Sequence, residues 1–210
     1  MDKREIKEKL KSRVIGREKY FNCAVLASVM EIDGELNFIL EKRAKHIRQG
    51  GEISFPGGGV DKVDKNFCET AIRETVEELG VTSKDVDVWG KLGTLTIPAG
   101  VLVEVYLGEL LCKVEDLNIN LDEVEEILVI PVSYFKNNPP KKEKITIQMH
   151  PHCEVEGKKV KFPASYYNLP EKYHKPWNGR EREIYIYEYK GEVIWGITAD
   201  IIFEIIEKII

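Results

Sequence analysis

Three glutamates, Glu74, Glu77 and Glu78, are the residues of this sequence whose types and spacing best suit chemistry. Positions i, i+3 and i+4 of a helix share one face, so a helix would bring the three carboxylates together. Like charges this close repel one another unless a cation lies among them, and Mg²⁺ and Mn²⁺ prefer such clustered oxygen ligands. The spacing predicts a site for Mg²⁺ or Mn²⁺. The alternative is a solvated acidic face, which is what most charge runs are.

The residues around the glutamates predict a short helix that follows a glycine-rich loop. Asp64 or Asn66 can cap the start of the helix, and Gly80 is well placed to end it. An apolar stripe at helical spacing, Ile72, Val76 and Leu79, should pack on a sheet and leave the glutamates facing a cleft. Gly57, Gly58 and Gly59 allow the backbone of the preceding loop to approach a ligand closely.

Residues 58–81 resemble the box of the Nudix hydrolases. The matching positions are Gly58, Asp64, Arg73, Glu74, Glu77, Glu78, Gly80 and Val81. The sequence departs from the general pattern in two ways. Asp64 stands where the pattern has Glu, and the gap to Arg73 is one residue longer. Both departures resemble the coenzyme A diphosphatase branch of the family.

A second segment, residues 39–58, is similar to the motif that marks this branch. The aliphatic pair Ile39-Leu40, then Arg48, Gly51 and the run 55–58 all match. Glu41 replaces a Thr of the motif, Ala44 replaces a Ser, and the space between Arg48 and Gly51 is one residue short. The run 195–199 resembles the segment that opens the last helix of the branch.

The resemblance implies an α/β fold, the α/β/α Nudix sandwich with a mixed β-sheet. We expect one domain over residues 1–210, with an N-terminal helix over 2–13, the Nudix box at 58–81 and a C-terminal helix over 198–209. The implied activity is metal-dependent hydrolysis of coenzyme A or acyl-CoA to 3′,5′-ADP and 4′-phosphopantetheine or its acyl derivative. Two alternatives stay open: another nucleoside diphosphate substrate such as ADP-ribose, and a nucleotide-binding module that has lost catalysis.

Site roles follow in part from the family pattern. Glu74 and Glu78 are expected to be the main metal ligands, and Glu77 a ligand or the base that takes a proton from water. Arg73 is expected to orient the glutamates by charge-assisted hydrogen bonds, with a surface salt bridge as its alternative. The Gly58 carbonyl is a further candidate ligand.

Four residues are candidate substrate contacts. Gly57 and Gly58 allow close backbone approach, while the guanidinium forks of Arg43 and Arg48 match phosphate oxygens. The alternative for the two arginines is solvated charge at a strand end.

Two other groups carry weaker signals. Glu123, Glu125 and Glu126 form an acidic run that is expected to be a solvated face, with an added metal ligand as the alternative. The run His150-Pro151-His152-Cys153 could chelate a metal, but no second pair stands at a structural-zinc spacing, so we expect an ordinary loop.

Bulk properties limit the possible partners and location. The 210 residues carry a net charge of −5, which argues against nucleic acid as a partner. No apolar run approaches the roughly 20 residues that span a bilayer, and the first residues do not resemble a signal peptide. Four scattered cysteines favour a reducing, cytoplasmic location. The oligomeric state is open, and a homodimer is one candidate.

The remaining pattern predicts a mixed set of strands followed by a closing helix. Strands are expected at 21–30, 37–43, 86–97, 101–112, 126–130, 184–189 and 192–195, and residues 136–182 as extended hairpins and loops. The closing helix is expected to bury Ile201, Ile202, Ile205, Ile206 and Ile209. This order of elements also indicates a sheet between helices.

Overall fold

The computed structural model describes residues 2–4, 7 and 14–210 of the chain. The helix predicted over 2–13 falls largely outside these residues. The chain forms two compact units, residues 1–132 and residues 133–210.

The first unit is built on a seven-stranded mixed sheet. Its strands are β1 (Phe21–Ile32), β2 (Glu35–Arg43), β3 (Ile53–Ser54), β4 (Gly57–Gly59), β5 (Val86–Ile97), β6 (Val101–Leu110) and β7 (Val124–Pro131). Their order is β3-β2-β1-β6-β5, with β4 paired to β1 and β7 paired to β2. The β1–β6 pair is parallel and the other pairs are antiparallel.

Strand β1 changes its antiparallel partner along its length, which allows the glycine segment to pair with it. Residues 29–32 of β1 pair with β2 through a tight turn at Asp33 and Gly34, whose φ angles of 52° and 80° suit Asp-Gly. Residues 23–25 pair instead with β4, where Ala24 lies opposite Gly58. The loop between β2 and the box helix is therefore part of the sheet, although the sequence predicted no strand in it.

The box helix, α1 (Phe67–Leu79), begins and ends as its local residues dictate. The Asn66 side chain caps it by accepting a hydrogen bond from the Glu69 amide at 3.0 Å. Gly80 ends it in the left-handed conformation at φ 66°, where a Cβ would collide with the backbone of Asn118.

The face that α1 buries differs from the predicted apolar stripe. Leu79 is fully buried, while Ile72 and Val76 are partly buried against the same core. Thr75 and Glu78 are buried as well, so a carboxylate lies on the inner side of the helix. The prediction that all three glutamates face a cleft is wrong for Glu78, because this side chain hydrogen-bonds to the loop backbone beneath the helix.

The second unit contains the remaining elements. These are helix α2 (Val132–Asn137), which starts at the unit boundary, β8 (Lys141–Met149), β9 (His152–Val155), β10 (Lys158–Lys161), β11 (Trp177–Tyr189), β12 (Glu192–Trp195) and helix α3 (Gly196–Lys208). Strands β12, β11 and β8 form one antiparallel sheet, and β9 and β10 form a hairpin.

Helix α3 packs on β11 and β12 and buries Ile201, Ile202 and Ile205. The prediction for Ile209 is wrong: it lies beyond the helix end and is 57% exposed. Strand β11 starts seven residues earlier than predicted, because pairing with β8 extends it back to Trp177. The α/β class and the mixed sheet predicted from the sequence are confirmed.

Candidate active site

The glycine loop and helix α1 meet where Glu74 lies against Gly58. A Cβ added at Gly58 would stand 2.5 Å from both Cδ and Oε1 of Glu74. A residue without a side chain is therefore required for this carboxylate to rest on the loop backbone. Burial of the side chain raises the pKa of Glu74, and the neighbouring Arg73 opposes that rise.

Glu78 lies one helical turn further on and is 2% exposed. The amide of Gly57 donates to its Oε2 at 2.8 Å, so Glu74 and Glu78 lie against adjacent glycines of the loop. Burial, and then the nearby Glu41 carboxylate, raise the pKa of Glu78.

Arg73 uses all three of its guanidinium nitrogens, two towards the loop and one towards Glu77 of its own helix. Nε and Nη2 donate to the two carboxylate oxygens of Asp64 at 3.0 and 3.1 Å. Nη2 also donates to the Gly59 carbonyl at 3.0 Å and lies 2.9 Å from Glu74 Oε1. Nη1 donates to Glu77 Oε2 at 2.9 Å. The guanidinium thus fixes two of the three box glutamates relative to the loop.

Asp64 has a role that the sequence did not reveal. It does not cap the helix, since Asn66 does, and its side chain is almost fully buried. It receives the bidentate pair from Arg73 and a hydrogen bond from the Thr70 hydroxyl at 2.9 Å. The Arg73 guanidinium lowers the pKa of Asp64 to about 2. Asp64 therefore anchors the arginine that positions the glutamates.

Glu77 differs from the other two box glutamates in being exposed. Its side chain is 53% exposed and its described partner is Arg73. It is the one of the three that solvent water reaches most readily.

Glu41 is an acidic residue that sequence reasoning considered only as a departure from the branch motif. It lies in β2 between Ser54 of β3 and Ile127 of β7, and its side chain is fully buried. Its Oε1 accepts from the Ser54 hydroxyl at 3.1 Å and from Arg43 Nη1 at 3.4 Å. Its Oε2 is buried and has no hydrogen-bond partner among the described residues. The signal available in the sequence was an acidic residue directly after the apolar run Phe38-Ile39-Leu40 of β2.

The two candidate phosphate contacts have different surroundings. Nη1 of Arg43 lies 3.4 Å from Glu41 Oε1 and 3.9 Å from Glu78 Oε1, so Arg43 is at the site but is already paired with carboxylates. Arg48 is exposed, and its backbone carbonyl accepts from Arg43 Nε at 3.4 Å.

The three glutamates around the start of β7, Glu123, Glu125 and Glu126, have different surroundings. Glu125 pairs with Lys45 at 3.1 Å and Glu126 lies 3.9 Å from Lys42, as expected of a solvated face. Glu123 is near enough to raise the pKa of Glu74, behind the larger effects of burial and its closer charged neighbours.

The His150–Cys153 run lies in the second unit. The rings of His150 and His152 are 5.3 Å apart, and both line an open cavity of about 420 Å³ together with Cys153 and Trp177. All four cysteines of the chain are free thiols.

The acidic residues fit a hard cation in type. The atoms that could bind the cation are all carboxylate or carbonyl oxygens. Gly58 leaves space for a carboxylate at the loop, and the buried Oε2 of Glu41 accepts no hydrogen bond from the described residues. As arranged, however, no three such side chains of the described residues converge to hold an ion. Arg73 and the Gly57 amide hold the glutamates apart, so a cation would require them to turn from these partners.

Comparison with known proteins identifies the family. Residues 21–153, more than half of the chain, match the NUDIX domain. The chain belongs to the Nudix hydrolase family, and it is an enzyme that acts on diphosphate linkages.

Two relatives and one solved structure illustrate the similarity. An uncharacterized Nudix hydrolase NudL of Photorhabdus laumondii is 28% identical over 172 residues, 81% of this chain and 76% of the relative. The mitochondrial coenzyme A diphosphatase NUDT8 of Homo sapiens is 31% identical over 122 residues, 57% of this chain and 52% of the relative. The NUDIX domain of Shewanella oneidensis NrtR, solved with ADP ribose, is 16% identical with a TM-score of 0.45, covering 66% of this chain and 89% of that domain.

Within the part of the chain that the structure describes, none of the helices is both long and apolar enough to cross a membrane.

Proposed function

We propose that this enzyme is a Mg²⁺- or Mn²⁺-dependent diphosphatase that hydrolyses coenzyme A or acyl-CoA. The products would be 3′,5′-ADP and 4′-phosphopantetheine or its acyl derivative. The observation that carries the proposal is the placement of Glu74 and Glu78 against the adjacent glycines of the loop. The motif at residues 39–58 and the similarity to the human coenzyme A diphosphatase support this substrate.

The proposed site assigns a task to each acidic residue of the box. Glu74 and Glu78 would be the main ligands of the cation, and Glu77 a third ligand or the base that takes a proton from the attacking water. A divalent cation, when bound, would neutralise diphosphate charge and lower the pKa of water. Glu77 suits the role of base because it is the exposed member of the three.

The loop and its neighbours would hold the diphosphate. Gly57 and Gly58 present backbone close to the carboxylates, and Arg43 lies beside Glu78 within reach of a bound anion. Arg48 is proposed as a second phosphate contact, because it is exposed next to Arg43.

One observation favours another nucleoside diphosphate, such as ADP-ribose, as the second candidate substrate. Glu41 replaces the Thr of the coenzyme A motif, and its carboxylate is buried beside Glu78 rather than exposed on the surface. This change places an additional carboxyl group next to the proposed metal ligands.

A substrate panel tests the proposal. Coenzyme A, an acyl-CoA and ADP-ribose are incubated separately with the enzyme and Mg²⁺ or Mn²⁺, and products are identified by mass. We expect 3′,5′-ADP from coenzyme A and a lower kcat/KM for ADP-ribose. Cleavage of ADP-ribose with coenzyme A left intact would replace the first substrate by the second.

Glu78→Gln and Glu126→Gln provide matched variants for this panel. Loss of a ligand to a catalytic cation costs several kcal/mol, so Glu78→Gln should lower kcat/KM by about 100-fold or more. Glu126→Gln removes an equal charge from an exposed position and should leave kcat/KM nearly unchanged.

Three further parts of the proposal are independent of the substrate. The Nudix domain is proposed to extend over residues 1–210, the enzyme to be cytoplasmic, and a homodimer to be the candidate assembly. Light scattering of the purified chain measures the last of these directly.

A further inference from the structure

Glu41 and Glu104 are both buried, but their carboxyl groups differ in how completely they are hydrogen-bonded. Glu104 of β6 is 2% exposed and is paired with Arg17, with Lys91 Nζ at 2.6 Å and with the Thr94 hydroxyl at 2.7 Å. Glu41 is fully buried, and one of its oxygens has no donor among the described residues. Buried polar atoms nearly always have a hydrogen-bond partner, so a buried carboxyl oxygen without one requires an explanation.

The unpaired oxygen of Glu41 is on a carboxylate that lies beside Glu78. Both carboxylates approach the same nitrogen, Arg43 Nη1, at 3.4 Å from Glu41 and 3.9 Å from Glu78. The other oxygen of Glu78 takes the Gly57 amide, and the other partner of Glu41 is the Ser54 hydroxyl. Two buried carboxyl groups therefore lie against one guanidinium.

Carboxyl groups outnumber the cationic side chains that are paired with them at this site. Five carboxylates, those of Glu41, Asp64, Glu74, Glu77 and Glu78, are paired with two guanidiniums, those of Arg43 and Arg73. Each guanidinium carries one positive charge and lies against two or three carboxyl groups. A cation from solution would favour the ionised form of these carboxyl groups and would pair with them.

We propose that Glu41 is a further ligand of the divalent cation site, with its Oε2 and the Glu78 carboxylate holding one ion between strand β2 and helix α1. This inference rests on the proposed metal dependence and adds a ligand outside the Nudix box. Mg²⁺ is commonly held by one or two carboxylates, with waters and substrate phosphates completing its shell, so this pair is sufficient. A role of Glu41 as a metal ligand would also explain why this sequence has an acidic residue where the coenzyme A motif has Thr.

Binding of Mn²⁺ by the full chain, measured through the electron paramagnetic resonance signal of free Mn²⁺, tests the proposal without relying on turnover. The variants are Glu41→Gln, Glu78→Gln and Glu126→Gln. Glu126 is the matched control because it pairs with Lys42, the next residue of β2, and neighbouring residues of a strand point to opposite faces. We expect Glu41→Gln to weaken Mn²⁺ binding about tenfold or more and Glu126→Gln to change it less than about twofold.

The outcomes separate this inference from the proposed function. Wild-type Mn²⁺ affinity in Glu41→Gln, together with loss of binding in Glu78→Gln, would overturn the role of Glu41 and leave the metal-dependent function standing. Absence of Mn²⁺ binding by the wild-type chain would overturn both.

A second measurement uses the wild-type chain, in case Glu41→Gln does not fold. Anomalous diffraction from crystals soaked in Mn²⁺ should show a peak at bonding distance from both Glu41 and Glu78. A peak bonded to the box glutamates alone, with Glu41 out of reach, would overturn the proposal.

Discussion

Replacement of Gly58 by Ala should separate activity from stability. The new Cβ would lie 2.5 Å from Cδ and Oε1 of Glu74, whereas ordinary contacts begin at 3.4 Å. The Glu74 carboxylate must therefore retreat by roughly 1 Å from the loop. Because the colliding atoms are at the end of a flexible side chain and the backbone of Gly58 is not left-handed, the fold can absorb the change.

The expected loss is large for catalysis and small for folding. A displacement of about 1 Å at a catalytic group can cost about 100-fold, which corresponds to about 2.7 kcal/mol in kcat/KM. The Arg73–Glu74 pair that this displacement weakens is partly exposed, and pairs of this kind contribute about 1 kcal/mol or less. For a chain of this size, that corresponds to a melting temperature lowered by about 2–4 °C.

Gly59→Ala is the matched control. Its Cβ would meet only the ring of Phe21, at 3.0 Å, and that ring is exposed and able to move. We expect kcat/KM for Mg²⁺-dependent hydrolysis within about threefold of wild type. Steady-state kinetics and circular dichroism melting are measured on both variants.

Two results would refute this reasoning. If Gly58→Ala retained wild-type kcat/KM, the position of Glu74 against the loop would not matter for turnover. If Gly58→Ala and Gly59→Ala lost activity equally, the effect would come from stiffening of the loop and not from displacement of Glu74.

Three further predictions concern the residues that support the site. Asp64→Asn should make the free energy of unfolding depend less on pH between about pH 4 and 2. Arg73 lowers the pKa of Asp64 from 3.8 to about 2, so ionised Asp64 stabilises the fold above about pH 4, and this contribution is lost as the pH falls towards 2. Denaturant unfolding between pH 2 and 5 measures this, and an unchanged slope would contradict it. Arg73→Lys cannot reproduce the bidentate pair with Asp64, so kcat/KM should fall about tenfold or more, and the melting temperature should fall as well because the buried Asp64 carboxylate loses part of its pairing; wild-type kinetics would count against the orienting role. Gly80→Ala should lower the free energy of unfolding by at least about 1 kcal/mol, because the left-handed backbone disfavours Ala and its Cβ would strike Asn118; equal urea midpoints for variant and wild type would show otherwise.

Local signals in the sequence were enough to define helix α1 and most of the strands. The cap at Asn66, the stop at Gly80 and the Asp33-Gly34 turn each depend on residues a few positions apart. Alternating or continuous apolar runs likewise gave β5 its bounds and β6 its start. Strand β11 was predicted too short because its first half is polar and exposed, and only pairing with β8 shows it to be a strand.

The sequence by itself determined that Glu74, Glu77 and Glu78 share a helix next to three glycines, because helical periodicity is a property of neighbours in the chain. Only the tertiary structure decided that Glu78 is buried, that Asp64 anchors Arg73 and that Glu41 joins the site from another strand. These facts depend on where β1 leaves β2 and pairs with β4, which brings residues far apart in the chain within hydrogen-bonding distance. Such long-range contacts determine which side chains are buried and which charges are paired, and the spacing of residues along the chain does not reveal these contacts.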